Sequence, residues 1–181
     1  MEIRDIEGNV LYRGGDISQG TDAGALKLTS PNFQGARLRR ANLRGAEMRF
    51  GDLENADLSE ADLAGAKFEG GSLDDCHLDR ANLHGVDFYA VYAYGASLRG
   101  ADLRQAKFFG TIFDNADFSD ADLRGARFAP DNTMHKTSVC GANLTSANLK
   151  DATFEAVEYD AHTRFPPGFK PEQHGFLRGE R

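Results

Sequence analysis

The chain has 181 residues, 40% of them apolar, and its 21 basic against 28 acidic residues leave a net charge of -7. That balance disfavours non-specific binding to nucleic acid. No run of roughly eighteen apolar residues is present to span a bilayer, and the charged start Met1-Glu2-Ile3-Arg4-Asp5 lacks the apolar stretch of a secretory signal, so a reducing cytoplasm is the expected compartment for Cys76 and Cys140.

Residues 1–12 alternate loosely around Glu7-Gly8-Asn9, which predicts a short β-hairpin of Ile3 to Ile6 against Val10 to Tyr12. Gly14-Gly15 breaks the chain. Thr21-Asp22-Ala23-Gly24-Ala25-Leu26 then reads as a capped helical turn leading to Leu28. Residues 1–30 are expected to form a cap, because a repeat structure needs its open apolar end and bare ladder edges covered.

From Phe33 to Phe128 every fifth residue is large and apolar, Ala93 excepted, and a small residue such as Ala36, Ala41, Ala46 or Ala56 sits two places before it. A period of five fits neither helix nor strand, so it is read as a repeat in its own right. A second period of twenty lies within it. Phe68, Phe88, Phe108 and Phe128 form one series, with Met48 a step earlier, and Leu43, Leu63, Leu83, Leu103 and Leu123 form another. Four units of five therefore make one turn of a four-faced solenoid, with one large and one small side chain per face pointing inward. Stacked at ~4.8 Å, five such coils span about 24 Å.

The faces differ in what they turn outward. On the leucine face, Asn42, Asp62, Asn82, Asp102 and Asp122 precede the leucines and read as structural turn residues. Arg44, His84, Arg104 and Arg124 follow them, which predicts weak surface ion pairs of about 0 to 1 kcal/mol each. The face centred on Phe33, Leu53, Leu73, Ala93 and Phe113 never has alanine in its small slot, and at Val91 and Ala93 the large and small positions are exchanged with volume roughly kept. It also carries a candidate acidic face, Asp52, Glu54, Asp74, Asp75 and Asp114. Around its corner, Tyr89, Tyr92, Tyr94, Phe109 and Ile112 occupy outward slots as a candidate interaction patch. Stacked aromatics that only brace adjacent coils are the alternative reading.

After Phe128 the repeat breaks at Ala129-Pro130-Asp131-Asn132-Thr133-Met134 and returns at Val139, Leu144, Leu149 and Phe154. The spacing predicts a loop near 129–134, a sixth coil beyond it, and a solenoid over 31–156. Residues 157–181 hold too much proline to extend a ladder, so Phe165, Phe169 and Phe176 are expected to close over the last coil as a lid.

Units such as Ala41-Asn42-Leu43-Arg44-Gly45, Ala61-Asp62-Leu63-Ala64-Gly65 and Ala121-Asp122-Leu123-Arg124-Gly125 resemble the A(D/N)LXX unit of the pentapeptide-repeat family, over roughly residues 31 to 156. The resemblance implies an all-β fold, a right-handed quadrilateral β-helix of about six coils. The stretch from Tyr159 to Phe169 resembles the YDxxTxFPxGF ending of many bacterial members. Members that resist quinolones imply a possible partner, DNA gyrase, engaged by mimicry of duplex DNA. The basic column Arg44, Arg104, Arg124 and the cluster Arg37, Arg39, Arg40, Arg44, Arg49 depart from such mimicry. Monomer and homodimer both remain open.

No glycine-rich phosphate loop, nucleophile elbow or paired-cysteine motif occurs. His77 and His84 lie on different faces and Cys76 points inward, so no metal cage converges, and a filled rod offers no concave pocket. The reading is a non-enzymatic binding or scaffold protein with no catalytic, cofactor or metal residues. It presents a rigid rod to a protein partner, with neither direct nucleic-acid binding nor a membrane.

Overall fold

The computed structural model describes residues 27–179 in full and the backbone of two strands before them, β1 (Glu2–Arg4) and β2 (Val10–Arg13). These two pair antiparallel, with Ile3 opposite Tyr12. The helical turn expected over residues 21–26 falls outside the described residues.

From Lys27 onward the chain winds into a right-handed quadrilateral β-helix, and the reason lies in the corners. The last residue of each unit has positive φ, as at Gly45 (63°), Asn55 (57°), Glu60 (59°) and Gly65 (68°). At the corners that do not follow a regular strand it is the third residue of a β-turn closed by bonds such as Ala46 N–H to Leu43 O, 3.1 Å, and Ala56 N–H to Leu53 O, 3.0 Å. A turn every five residues leaves room for one short extended segment between corners. The large central residue and the small one two places earlier then face the axis.

On one face these segments are regular strands: β3 (Lys27–Thr29), β4 (Glu47–Arg49), β5 (Lys67–Glu69), β6 (Asp87–Tyr89), β7 (Lys107–Phe109), β8 (Arg127–Ala129) and β9 (Thr153–Phe154). They stack in sequence as a seven-stranded parallel sheet. Met48, Phe68, Phe88, Phe108, Phe128 and Phe154 stand in register beneath it. The other faces carry single bridges with the same spacing, including Asn42 to Asp62, Asp62 to Asn82, Asn82 to Asp102 and Asp102 to Asp122. Leu63, Leu83 and Leu103 lie one above another on that last face, each fully buried. Phenylalanine rings pack against one another along the axis, with Phe68 and Phe88 at 5.1 Å, Phe108 and Phe113 at 5.0 Å, and Phe113 and Phe118 at 5.0 Å. Val91 and Ala93, with their sizes exchanged, are both buried.

The twenty-residue step is first broken after Ile112. Ile112 bridges Ser138 and Phe128 pairs with Phe154, a step of 26 residues where earlier coils take 20. The six additional residues form a loop organised by Asp131. Its Oδ1 accepts the Thr133 N–H (2.8 Å), the Thr133 hydroxyl (2.7 Å) and the His135 N–H (3.0 Å).

The ladder also runs further than six coils. On the face after β3, the rungs pass through Asn32, Asp52, Ser72, Tyr92, Ile112, Ser138 and Glu158. An eighth rung follows where β10 (Val157–Tyr159) pairs parallel with β11 (Phe176–Arg178). The expectation that proline stops the ladder is therefore corrected. Arg164, just ahead of Pro166-Pro167, bridges Asn143, with its N–H on Ala142 O at 2.9 Å, so the prolines remove no donor that the ladder needs. Phe165, Phe169 and Phe176 do gather over the last coil: Phe176 lies 4.6 Å and Phe169 6.0 Å from the Phe154 ring. Cys140, which the repeat assigns to an outward slot, is buried at this end of the rod.

Candidate interaction surface

The five aromatic and aliphatic residues singled out from the sequence flank one corner and the face beyond it. Tyr89 and Phe109 are register partners on β6 and β7, and Tyr92 and Ile112 are bridged on the next face. Ala90 and Gly110, both with positive φ, form the corner between the two pairs. Each group is held differently. The Tyr89 hydroxyl accepts the Asn132 N–H at 3.2 Å, and Arg127 lies 5.7 Å from the Phe109 ring centre. Lys67, Glu69, Asp87, Tyr89, Phe109 and Asn132 together border a shallow groove of about 450 Å³. Tyr92 and Tyr94, by contrast, are 60% and 51% exposed, and the Tyr94 hydroxyl is fixed by the Asn115 side-chain amide at 2.6 Å.

Phe50 belongs to the same corner line and was missed in the sequence. It is 59% exposed with φ of 52°, and its ring lies where a side chain at Gly70 would go, 2.9 Å from the Cβ position. An aromatic in the left-handed fifth slot of a unit, where no other aromatic stands, was the available signal.

The candidate acids are drawn into the backbone. Asp52 Oδ1 accepts the Glu54 N–H at 3.1 Å, and Asp74 Oδ1 accepts the Tyr94 N–H at 2.8 Å, tying carboxylate to aromatic. Glu54 accepts the side-chain amides of Gln34 and Asn55, each at 3.2 Å. Asp114 requires a correction. It is buried and accepts the Ser138 hydroxyl, so the solvent-facing acids are Asp52, Glu54, Asp74 and Asp75.

On the leucine face the aspartates are neutralised within the chain. Arg104 bonds Asp102 through Nε (2.8 Å) and Nη2 (2.6 Å), and Arg124 does the same to Asp122. These guanidinium bonds hold both carboxyls below the usual aspartate range. The same oxygens accept backbone N–H groups two residues on, for example Arg104 N–H to Asp102 at 3.2 Å, which is the local turn bond that favours Asn or Asp there. The arginines of the first coil point back onto the second: Arg39 and Arg40 on Glu60, Arg44 on Asp62.

Among the described residues, no group of three or more His, Cys, Asp or Glu is placed to hold a metal ion. None of their helices is long and apolar enough to cross a membrane. The Cys76 thiol donates to Ala56 O at 3.3 Å, and burial pushes its pKa far up.

Two family descriptions, both of pentapeptide repeats, match this chain, one over residues 27–59 and 56–92 and the other over 93–138. Among solved structures it is similar to HetL from the cyanobacterium Nostoc sp. strain PCC 7120, a pentapeptide repeat protein involved in heterocyst differentiation regulation. That match has 23% identity and a TM-score of 0.53 over 77% of this chain and 72% of HetL. It is also similar to QnrB1, a plasmid-mediated fluoroquinolone resistance protein, at 18% identity and a TM-score of 0.54 over 91% and 88% of the two chains. None of the curated proteins matches it.

Proposed function

This chain belongs to the pentapeptide-repeat family, and from that premise we propose a non-enzymatic, cytoplasmic binding protein that offers Tyr89, Tyr92, Tyr94, Phe109 and Ile112 to a protein partner. The observation that carries the reading is the exposure of Tyr92 and Tyr94 on a ladder whose interior is filled. Both rings sit on backbone pinned by neighbouring coils, so little ordering entropy opposes their burial in a complex. Large exposed aromatics are the side chains that interfaces use as anchors.

The test is affinity capture from the source cells with the wild-type rod and with a Tyr92→Ser/Tyr94→Ser variant of equal stability. Loss of a captured protein with the variant is the expected result. A captured set that does not change removes the reading.

Mimicry of duplex DNA toward gyrase is the competing reading, and its support is the acidic, basic-free character of one face. Arg37, Arg39, Arg40 and Arg44 in the first coil weigh against a rod that is acidic all round. A gyrase supercoiling assay separates the two, since the scaffold reading expects no effect at micromolar protein.

A further inference from the structure

Basic residues are distributed unevenly around the rod. Between residues 31 and 126 the outward slots of the face that runs through Asn32, Asp52, Ser72, Tyr92 and Ile112 contain neither lysine nor arginine. Each of the other faces has at least three: Arg37, Arg80 and Arg99 on the face bridged through Asp57, His77 and Ser97, Arg44, Arg104 and Arg124 on the leucine face, and Arg49, Lys67 and Lys107 on the phenylalanine face.

The pairing of the acids leans the same way, although among the described residues Asp57, Asp79 and Asp120, on the face bridged through Asp57, His77 and Ser97, also meet no lysine or arginine within 4.0 Å. Glu47, Glu60, Asp62, Glu69, Asp87, Asp102, Asp117 and Asp122, on the other three faces, each meet a lysine or arginine within 4.0 Å. No such pair among the described residues includes Asp52, Glu54, Asp74 or Asp75. Four carboxylates on two consecutive coils therefore stand without a cation from the described residues of their own chain. The next coil up that face carries Tyr92 and Tyr94, with the Asp74 carboxylate bonded to the Tyr94 N–H.

We propose that this face is a docking lane for an extended, arginine-bearing segment of another protein. The inference rests on the reading of the protein as a binding rod. Charge complementarity selects the occupant. Phosphate backbones are repelled by the four carboxylates, and a second copy docking through the same face would oppose acid to acid. Arginine suits both halves of the lane, because its planar guanidinium pairs with carboxylates and also stacks on a tyrosine ring. The rungs of Asp52 and Tyr92 are two coils apart, about 10 Å, which an extended chain crosses in roughly three residues. The segment therefore carries its basic side chains at about that interval.

The test uses fluorescence anisotropy with labelled synthetic peptides of one length and one apolar pattern, which differ only in having arginine, serine or glutamate at the polar positions, and a labelled DNA duplex. A Glu54→Gln/Asp74→Asn/Asp75→Asn variant removes charge but keeps the hydrogen-bond acceptors. An Asp120→Asn/Asp151→Asn/Glu155→Gln variant removes the same charge elsewhere on the rod. The arginine peptide alone is expected to bind saturably, weakened by added salt. The first variant should lose about tenfold in affinity and the second less than about twofold. Equal losses in both variants, equal binding of the serine peptide, binding of the duplex, or no binding of the arginine peptide would each overturn the lane. If Tyr92→Ser/Tyr94→Ser abolishes binding while the first variant does not, the charge assignment is wrong and the aromatic surface still stands.

Discussion

The Thr111 backbone N–H points at the Thr137 hydroxyl oxygen across 3.3 Å, with both residues wholly buried. The Thr137 Oγ1 also lies 2.8 Å from Ala129 O and 3.0 Å from Phe108 O, and its one proton serves these carbonyls in turn. Thr111 donates to Phe88 O at 3.0 Å. Two stacked threonines thus tie the phenylalanine face to the next one just where the register changes.

Replacing Thr137 by valine, which matches its shape, leaves those groups short of a partner inside the core. The expected loss is about 1 to 3 kcal/mol, with Thr137→Ser retaining most of the stability. Urea unfolding followed by circular dichroism measures it, and equal midpoints for valine and serine would show that the hydroxyl contributes nothing.

Ala90 has φ of 53°, a conformation that an alanine side chain disfavours by roughly 1 to 2 kcal/mol. Ala90→Gly is therefore expected to raise stability by about 1 kcal/mol, after glycine's own entropic cost. Gly110 is the converse case. Its Cβ position lies 2.8 Å from Asp131 Cβ, so Gly110→Ala both strains the corner and displaces the loop. Opposite shifts in melting temperature for these two variants are the expected outcome.

The pH dependence follows from Asp102 and Asp122. Their folded pKa values lie below the unfolded aspartate value of about 4, held there by Arg104 and Arg124. A depressed folded pKa contributes stability that is fully present above the unfolded value and is lost as pH falls through the folded one. Both pairs are on the surface, so the contribution is about 0 to 1 kcal/mol each. An Arg104→Gln/Arg124→Gln variant should accordingly show a smaller drop in stability between pH 5 and pH 2 (roughly the window given by linkage). An unchanged slope would count against this origin.

The loop offers a sharper test. Deleting residues 130–135 joins Ala129 to Lys136 and restores the step of 20, with Lys136 at the corner. With Lys136→Gly added to suit positive φ, the shortened chain is expected to fold and to lose less than about 2 kcal/mol. A protein without cooperative unfolding would show that Asp131 and its ring of donors are indispensable to the coils above.

The axis of the rod was legible because Leu63, Leu83 and Leu103 repeat at a fixed interval, and a filled core admits only one register for them. The turn role of Asp102 and Asp122 was legible too, since their chemistry is local. What escaped depends on contacts between distant residues. Nothing near Thr137 announces that its hydroxyl reaches Phe108, and nothing near Asp114 announces Ser138. Pro166-Pro167 correctly signals that the strand pattern fails at those residues, but it conceals that Arg164 before them and Phe176 after them rejoin the ladder. Phe50 escaped because the repeat assigns its side chains to the segments between corners, whereas the Phe50 ring projects from a corner itself.

Every rung from Lys27 to Ala126 is an interchangeable twenty-residue step. The rod is therefore graduated like a ruler. Duplicating one coil would carry whatever is bound at Tyr92 and Tyr94 about 4.8 Å along the axis while leaving it on the same side. Distance between attachments is thus set by copy number, and direction is set by which of the four sides carries them.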